Sequence, residues 1–184
     1  ILVGMHPHLK QSAIDSVLGQ IRTRLEVTPL PLQIPYYEGD AFRGVIDLIT
    51  MKLLLWDDIQ GSSFEPTAIP QDRVDDAMLA RDRMVEHLAD FDDEIMELFL
   101  AGEQVEEKKI RQAVRRVTIE ERLVPVLCGS ALKNKGIQPL IDGIIDYLPS
   151  PLEVKPVLAH HKTTLETIPV SPDPKGPLVA YVFK

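Results

Sequence analysis

At 184 residues and 45% hydrophobic content, the chain is long and apolar enough for one ordinary domain or two small ones, and too rich in Leu, Ile and Val for a disordered tail. Its net charge of −8, from 28 acidic and 20 basic residues, argues against direct binding to DNA or RNA through clustered Lys and Arg. A single cysteine, Cys128, excludes an internal disulfide, and no apolar run approaches the ~20 residues of a membrane helix.

The chain opens on Ile1-Leu2-Val3, with neither Met nor a leader pattern, and reads as entry in mid-domain. Residues 9–25 carry Ile14, Val17, Leu18, Ile21 and Leu25 at three- and four-residue steps, which predicts an amphipathic helix. Residues 30–35 form a short apolar run broken by prolines, a strand with restricted ends. Glu38-Gly39-Asp40 has turn chemistry, and the β-branched stretch 42–49, continued through 51–56, predicts a small antiparallel unit. Residues 60–63 and 66–70 read as a loop. Three helices follow, over 71–89, from Asp92 to about Gly102, and over 105–117. Asp92, Asp93 and Glu94 fall in the first turn of the middle one, where carboxylates favour the helix dipole. Lys108, Lys109, Arg111, Arg115 and Arg116 lie among acidic residues on the third and read as a solvated face.

The most organised segment comes next. Residues 123–128 are a buried-strand run in which Cys128 is expected as a small core residue. Residues 129–136 are small and polar, and Ile137, Leu140, Ile141, Ile144, Ile145 and Leu148 make a helical stripe stopped by Pro149. Strand, loop and helix are the unit of a parallel α/β sheet, where ligands sit beyond the carboxyl ends of the strands. The 129–136 loop is therefore the leading site candidate. Residues 151–177 are rich in proline and read as a linker, and 178–183 as the first strand of a further domain.

Other candidate chemistry is sparse. No Gly-x-x-x-x-Gly-Lys-Ser/Thr occurs, so the chain lacks that cradle of backbone amides for a triphosphate. Asp58-Ile-Gln-Gly61 and Asp173-Pro-Lys-Gly176 read as coincidental loop strings. Asn134-Lys135 is not a guanine-reading Asn-Lys-x-Asp, because Ile137 stands at the carboxylate position. His6 with His8, and His160 with His161, lack further metal donors nearby, and His87 stands alone on a helix. Asp57-Asp58 and Asp92-Asp93 are sequence neighbours whose side chains diverge, so neither reads as a general acid/base pair.

Val124-Pro-Val-Leu-Cys-Gly-Ser-Ala-Leu-Lys-Asn-Lys-Gly-Ile-Gln-Pro-Leu140, followed by Asp146-Tyr-Leu-Pro-Ser-Pro151, resembles the last guanine-nucleotide motif of the elongation factor G family. Gln20-Ile-Arg-Thr-Arg-Leu25, Pro31-Leu-Gln-Ile-Pro35, Phe42-Arg-Gly-Val-Ile-Asp-Leu48 and Ala180-Tyr-Val-Phe-Lys184 extend the resemblance over almost the whole chain. The wording of residues 124–140 and the stretch Leu88-Ala-Asp-Phe-Asp-Asp93 look closest to the second mitochondrial, ribosome-recycling branch of that family, with the translocating branch as runner-up.

The resemblance implies an α/β fold: the C-terminal part of a P-loop GTPase domain (residues 1–35 and 121–150) interrupted by an inserted α+β subdomain (36–120). A linker (151–173) and the first strand of a β-barrel domain (174–184) would follow. It implies a parent protein that hydrolyses GTP with Mg²⁺ and acts on the mitochondrial ribosome with the ribosome recycling factor. The insert would meet the ribosomal stalk protein and is the part expected to fold alone. Ser130, Ala131 and Leu132 would line the guanine pocket, the Ala131 N–H donating to the guanine oxygen, with Lys133 flanking the ring. Catalytic and metal-binding parts would lie outside this chain, leaving it inactive by itself. At the place expected for Asn-Lys-x-Asp stand Met5-His6-Pro7-His8, a departure that leaves open a protein-binding module without a nucleotide site.

Overall fold

Strand β7 (Val124–Gly129) is the axis of the first part of the chain, because almost all of it is buried and both its edges are used. In the computed structural model, which describes residues 1–5, 11–58, 60–154, 156–160, 164–173 and 175–176, β7 pairs in parallel with β1 (Leu2–Gly4) on one side. On the other it pairs, again in parallel, with β2 (Pro29–Pro31). Leu2 stands opposite Leu127 and Leu30 opposite Pro125. Apolar residues run without alternation along β7, as expected of a strand covered on both faces.

Helix α1 (Gln11–Leu25) connects β1 to β2 and sends Ile14 and Ile21 into a core with Val3, Met5, Val126 and Cys128. Leu25, the last residue of the expected stripe, is exposed instead. It ends the helix just before Glu26, whose φ is 55°. The chain then forms a four-stranded antiparallel meander of β3 (Gln33–Glu38), β4 (Ala41–Asp47), β5 (Lys52–Leu55) and β6 (Glu65–Thr67). The predicted stretch 42–49 stops early, because Asp47 Oδ1 accepts from the Ile49 and Thr50 amides and from Thr50 Oγ1 and turns the chain. Strand β6 corrects the reading of 66–70 as loop. Its three residues are all exposed and include Pro66, so neither apolar alternation nor length announces it, yet it pairs with β5 as an edge.

Helices α2 (Val74–Ala89), α3 (Asp93–Leu100) and α4 (Glu107–Ile119) follow, close to the predicted spans. Arg81 on α2 fastens them to the meander: its guanidinium donates to the carbonyls of Leu48, Ile49 and Val105. Asp92 caps α3, accepting from the Ile95 amide at 3.2 Å. After β7 a short 3₁₀ turn (Ala131–Lys133) leads into α5 (Ile137–Tyr147).

One core holds Leu30, Leu32, Leu123 and Tyr147 together with Leu48, Met84, Leu88, Ile95, Ile110 and Val114. A second holds Val3, Ile14, Val126 and Cys128 together with Phe42, Val45, Leu54 and Trp56. Residues 1–148 accordingly form one unit, and residues 149–184 a separate one. Within the latter, β8 (Val157–His160) and β9 (Thr167–Val170) pair as an antiparallel hairpin, with Leu158 opposite Pro169. The stretch read as a linker thus carries a short hairpin. The expected strand over 178–183 lies outside the described residues. No helix among the described residues is long and apolar enough to cross a membrane.

Candidate functional site

The loop after β7 is built by residues that leave it little freedom. The Ser130 amide donates to the Lys135 carbonyl at 2.7 Å, and the Lys135 amide returns a bond to Ser130 O at 3.1 Å, closing a reciprocal bridge. Inside it, Lys133 N–H bonds to Ser130 O and Asn134 N–H to Ala131 O, both at 3.1 Å. Asn134 adopts the left-handed conformation at φ 54°, which its short amide side chain tolerates better than most. Gly136 has φ 84°, and a Cβ there would stand 2.5 Å from Cys128 O. The crossing to α5 therefore requires glycine.

This frame presents the three residues predicted to meet a base. Ser130 is half-buried in extended geometry, while Ala131 and Leu132 are exposed, Leu132 at 98%. The Ala131 and Leu132 amides donate to no acceptor among the described residues, since the bonds of this turn begin at Lys133 N–H. The turn thus offers two free N–H donors beyond the carboxyl end of β7, flanked by the exposed side chain of Lys133. Such a surface rewards a ligand carbonyl over an amine and needs no side-chain chemistry.

Sequence reasoning left the rest of the loop without a role. Lys135 is 6% exposed, and its Nζ donates to Trp56 O at 3.1 Å. Burial, then Arg43 and Lys133, lower its pKa, against Asp58 and Asp57. Asn134 Nδ2 and Gln138 Nε2 both donate to Gly61 O, at 3.2 and 2.8 Å. No local pattern signals contacts between parts of the chain so far apart in sequence. A long loop with an Asn-Lys pair that fails the Asn-Lys-x-Asp test was the available hint.

Elsewhere the candidates resolve into structure. Asp58 accepts the Ser62 amide with both oxygens, and Asp173 accepts from Lys175 N–H, so both Asp-x-x-Gly strings are local turns. Much of the basic face of α4 is paired: Arg111 with Glu107 and Asp146, Lys109 with Glu94, and Arg116 with Asp92 and Glu94. His87 is half-buried on α2, and His160 Nδ1 lies 3.5 Å from Thr167 Oγ1. His6, His8 and His161 lie outside the described residues. No group of three or more His, Cys, Asp or Glu suited to a metal occurs among the described residues. Cys128 is buried, its thiol pushed up to about 12 by loss of solvation, and so is inert at neutral pH.

Geometry defines the class first: a mixed α/β protein with an exposed turn at the carboxyl end of a parallel strand. Comparison with known proteins then gives the relatives. No family model matches the chain. It is 45% identical over 162 residues to elongation factor G of Thermotoga petrophila, covering 88% of this chain and 23% of that protein. Elongation factor G 2 of Syntrophus aciditrophicus is 45% identical over 169 residues, 91% of this chain and 25% of that one. Elongation factor G of Neorickettsia sennetsu is 42% identical over 163 residues, 88% of this chain and 23% of that one. A crystal structure of a protein from Thermus thermophilus superposes with a TM-score of 0.64 at 26% identity, covering 76% of this chain and 21% of that chain. The homologues of this chain are thus named elongation factor G, and it spans about a quarter of their length.

Proposed function

We propose that the chain is the base-sensing and inserted portion of a ribosome-dependent GTPase. The carrying observation is the pair of free amides at Ala131 and Leu132, beyond a parallel strand, in a sequence 45% identical to elongation factor G. The Ala131 N–H would donate to the guanine oxygen and oppose the amine of adenine. Ser130, with its amide and carbonyl both engaged by Lys135, fixes where that donor points. The residues present suit a purine base and not a triphosphate, for the amide cradle is missing from the sequence. GTP and Mg²⁺ would be held by other parts of the parent, which supply the hydrolysis.

Within that class we place the parent in the mitochondrial recycling branch, disassembling post-termination ribosomes with the recycling factor, on the wording of residues 124–140 and 88–93. The insert, whose α2 carries exposed Asp75, Asp76, Asp82 and Glu86, suits a protein partner such as the ribosomal stalk protein. A translocating factor is the second reading, favoured by the names of the relatives. Met5-His6-Pro7-His8 favours a third, a protein-binding module without nucleotide.

Ribosome assays on the full-length parent separate the three. Subunit splitting that needs both GTP and the recycling factor supports recycling; GTP-dependent advance of the messenger without splitting supports translocation; absence of GTP turnover on ribosomes removes both. For the 184-residue chain alone, titration calorimetry is expected to show no saturable GTP binding, and saturation at millimolar or lower concentration would contradict the division of labour.

A further inference from the structure

Within the five residues that follow the turn, Asn134, Lys135 and Gln138 reach the connection between β5 and β6. Gln138 Nε2 donates to Gly61 O at 2.8 Å and to Ser62 O at 3.4 Å. Asn134 Nδ2 reaches the same Gly61 O at 3.2 Å, and Lys135 Nζ reaches Trp56 O at 3.1 Å. Three polar side chains from one short stretch thus converge on backbone carbonyls of one other segment. The backbones also touch: Gly61 has φ 63°, and a Cβ there would lie 2.5 Å from Lys133 O and 2.6 Å from Asn134 O. Only glycine admits this approach.

The receiving segment is itself anchored. Trp56 is fully buried, packs against a tilted Phe64 ring with centroids 5.1 Å apart, and donates its amide to Arg43 O on β4. Asp58 holds the Ser62 amide with both carboxylate oxygens. The receiving segment is thus held at Trp56 and at Ser62.

We propose that Asn134, Lys135 and Gln138 are positioning residues for base recognition: they clasp the 130–133 turn to Trp56, Gly61 and Ser62 of the insert, so that guanine-over-adenine discrimination depends on where the insert holds the turn. The proposal rests on the base-sensing reading of Ala131 given above. Its physical content is that a preorganised donor distinguishes carbonyl from amine only while it is held still, and the loop's own bonds fix its shape but not its place relative to the sheet. Both donors on Gly61 O are amide NH₂ groups, so Asn134→Asp and Gln138→Glu keep size and shape and set oxygens against an oxygen. Asp at 134 also retains the tolerance for positive φ.

The test uses the full-length parent and fluorescent GDP and ADP analogues. The N134D/Q138E double variant is expected to weaken GDP binding about tenfold while ADP binding stays within about twofold, so the base preference falls by about tenfold. A general loss of structure would lower both nucleotides together, because each relies on the same phosphate contacts. Asn134→Gly, which keeps the left-handed backbone and deletes one donor, and Lys135→Met, which keeps the buried stem, should each lower the preference by a smaller factor. Unchanged preference in all three variants would overturn the clasp. Ala131→Pro, acceptable after the extended Ser130 and lacking the N–H, distinguishes the two levels of the argument. If it abolishes the preference while the clasp variants keep it, the clasp is wrong and the base reading stands. A wild-type preference that survives A131P means the base is read elsewhere, and both fall.

Discussion

Replacing Asp92 should separate a helix cap from an ion pair, because one side chain serves both. Its Oδ1 accepts the Ile95 amide at 3.2 Å, and its two oxygens take Arg116 Nε at 2.9 Å and Nη2 at 3.1 Å. The Asp92 side chain is 6% exposed, whereas Arg116 is 44% exposed and also has Glu94 at 3.4 Å. Loss of the cap costs about 1 kcal/mol. Loss of the pair costs about 1 kcal/mol more, not the penalty of a buried orphan charge, since Arg116 can rehydrate and keep Glu94. Asp92→Ala should therefore destabilise by about 2 kcal/mol, lowering Tm by roughly 4–8 °C for a chain of this size. Asp92→Asn keeps the acceptor for Ile95 and loses only the charge, so about half that loss is expected. Thermal melts followed by fluorescence of Trp56, the single tryptophan and fully buried, give both values. If D92N proves as damaging as D92A, the cap contributes nothing and the division is wrong.

Gly136→Ala should cost about 3 kcal/mol, from a left-handed alanine and a methyl driven toward Cys128 O, and chemical denaturation would measure it. Alkaline pH should weaken the fold. Burial raises the Cys128 thiol to about 12 from 9.0, and burial likewise raises Tyr147 to about 12 from 10.0. Both folded-state pKa values are raised, so this stabilisation is complete below the unfolded values and is lost as pH climbs from 9 to 12. Melts at about pH 8 and about pH 11 should show the drop, and Cys128→Ala should make it shallower. Residues 36–120 expressed alone should give no cooperative melt, against the expectation that the insert folds by itself. A sigmoidal transition with Trp56 shielded from quencher would show that expectation correct.

Much of this architecture was legible because local chemistry and tertiary demand agree. Ile137, Leu140 and Ile144 announce α5; the apolar run ending at Cys128 announces a strand covered on both faces; Gly39-Asp40 announces the β3–β4 hairpin. What escaped lies where tertiary pairing overrides composition. Glu65-Pro66-Thr67 is polar and proline-bearing, yet β5 recruits it as an edge. Prolines such as Pro156 and Pro169 make 151–177 read as a linker, though Pro169 sits within β9 opposite Leu158. At the candidate site, strand-loop-helix order pointed to the 129–136 loop, and the family resemblance singled out Ser130, Ala131 and Leu132 within it. The destinations of Asn134, Lys135 and Gln138 had no such signal, because their acceptors at Trp56 and Gly61 are backbone carbonyls that carry no residue signature.

The two shared cores bear on how the proposed insert over 36–120 would behave. An insertion attached only by its ends would bury its apolar residues among themselves, and its motion would be independent of the sheet it interrupts. Here Phe42, Val45, Leu54 and Trp56 complete a core with Val3, Ile14 and Val126, while Met84, Ile110 and Val114 complete another with Leu30, Leu123 and Tyr147. Because close-packed interiors transmit displacement instead of absorbing it, a force applied to α2, α3 or α4 is felt at β7. The end of β7 is where Ala131 and Leu132 hold out their amides, and Gly61 closes the same circuit from the other side. In the function proposed, a partner pressing on the insert and a base seated on the turn therefore act on one packed body, and by linkage any effect of one on the other's affinity is returned by the same factor.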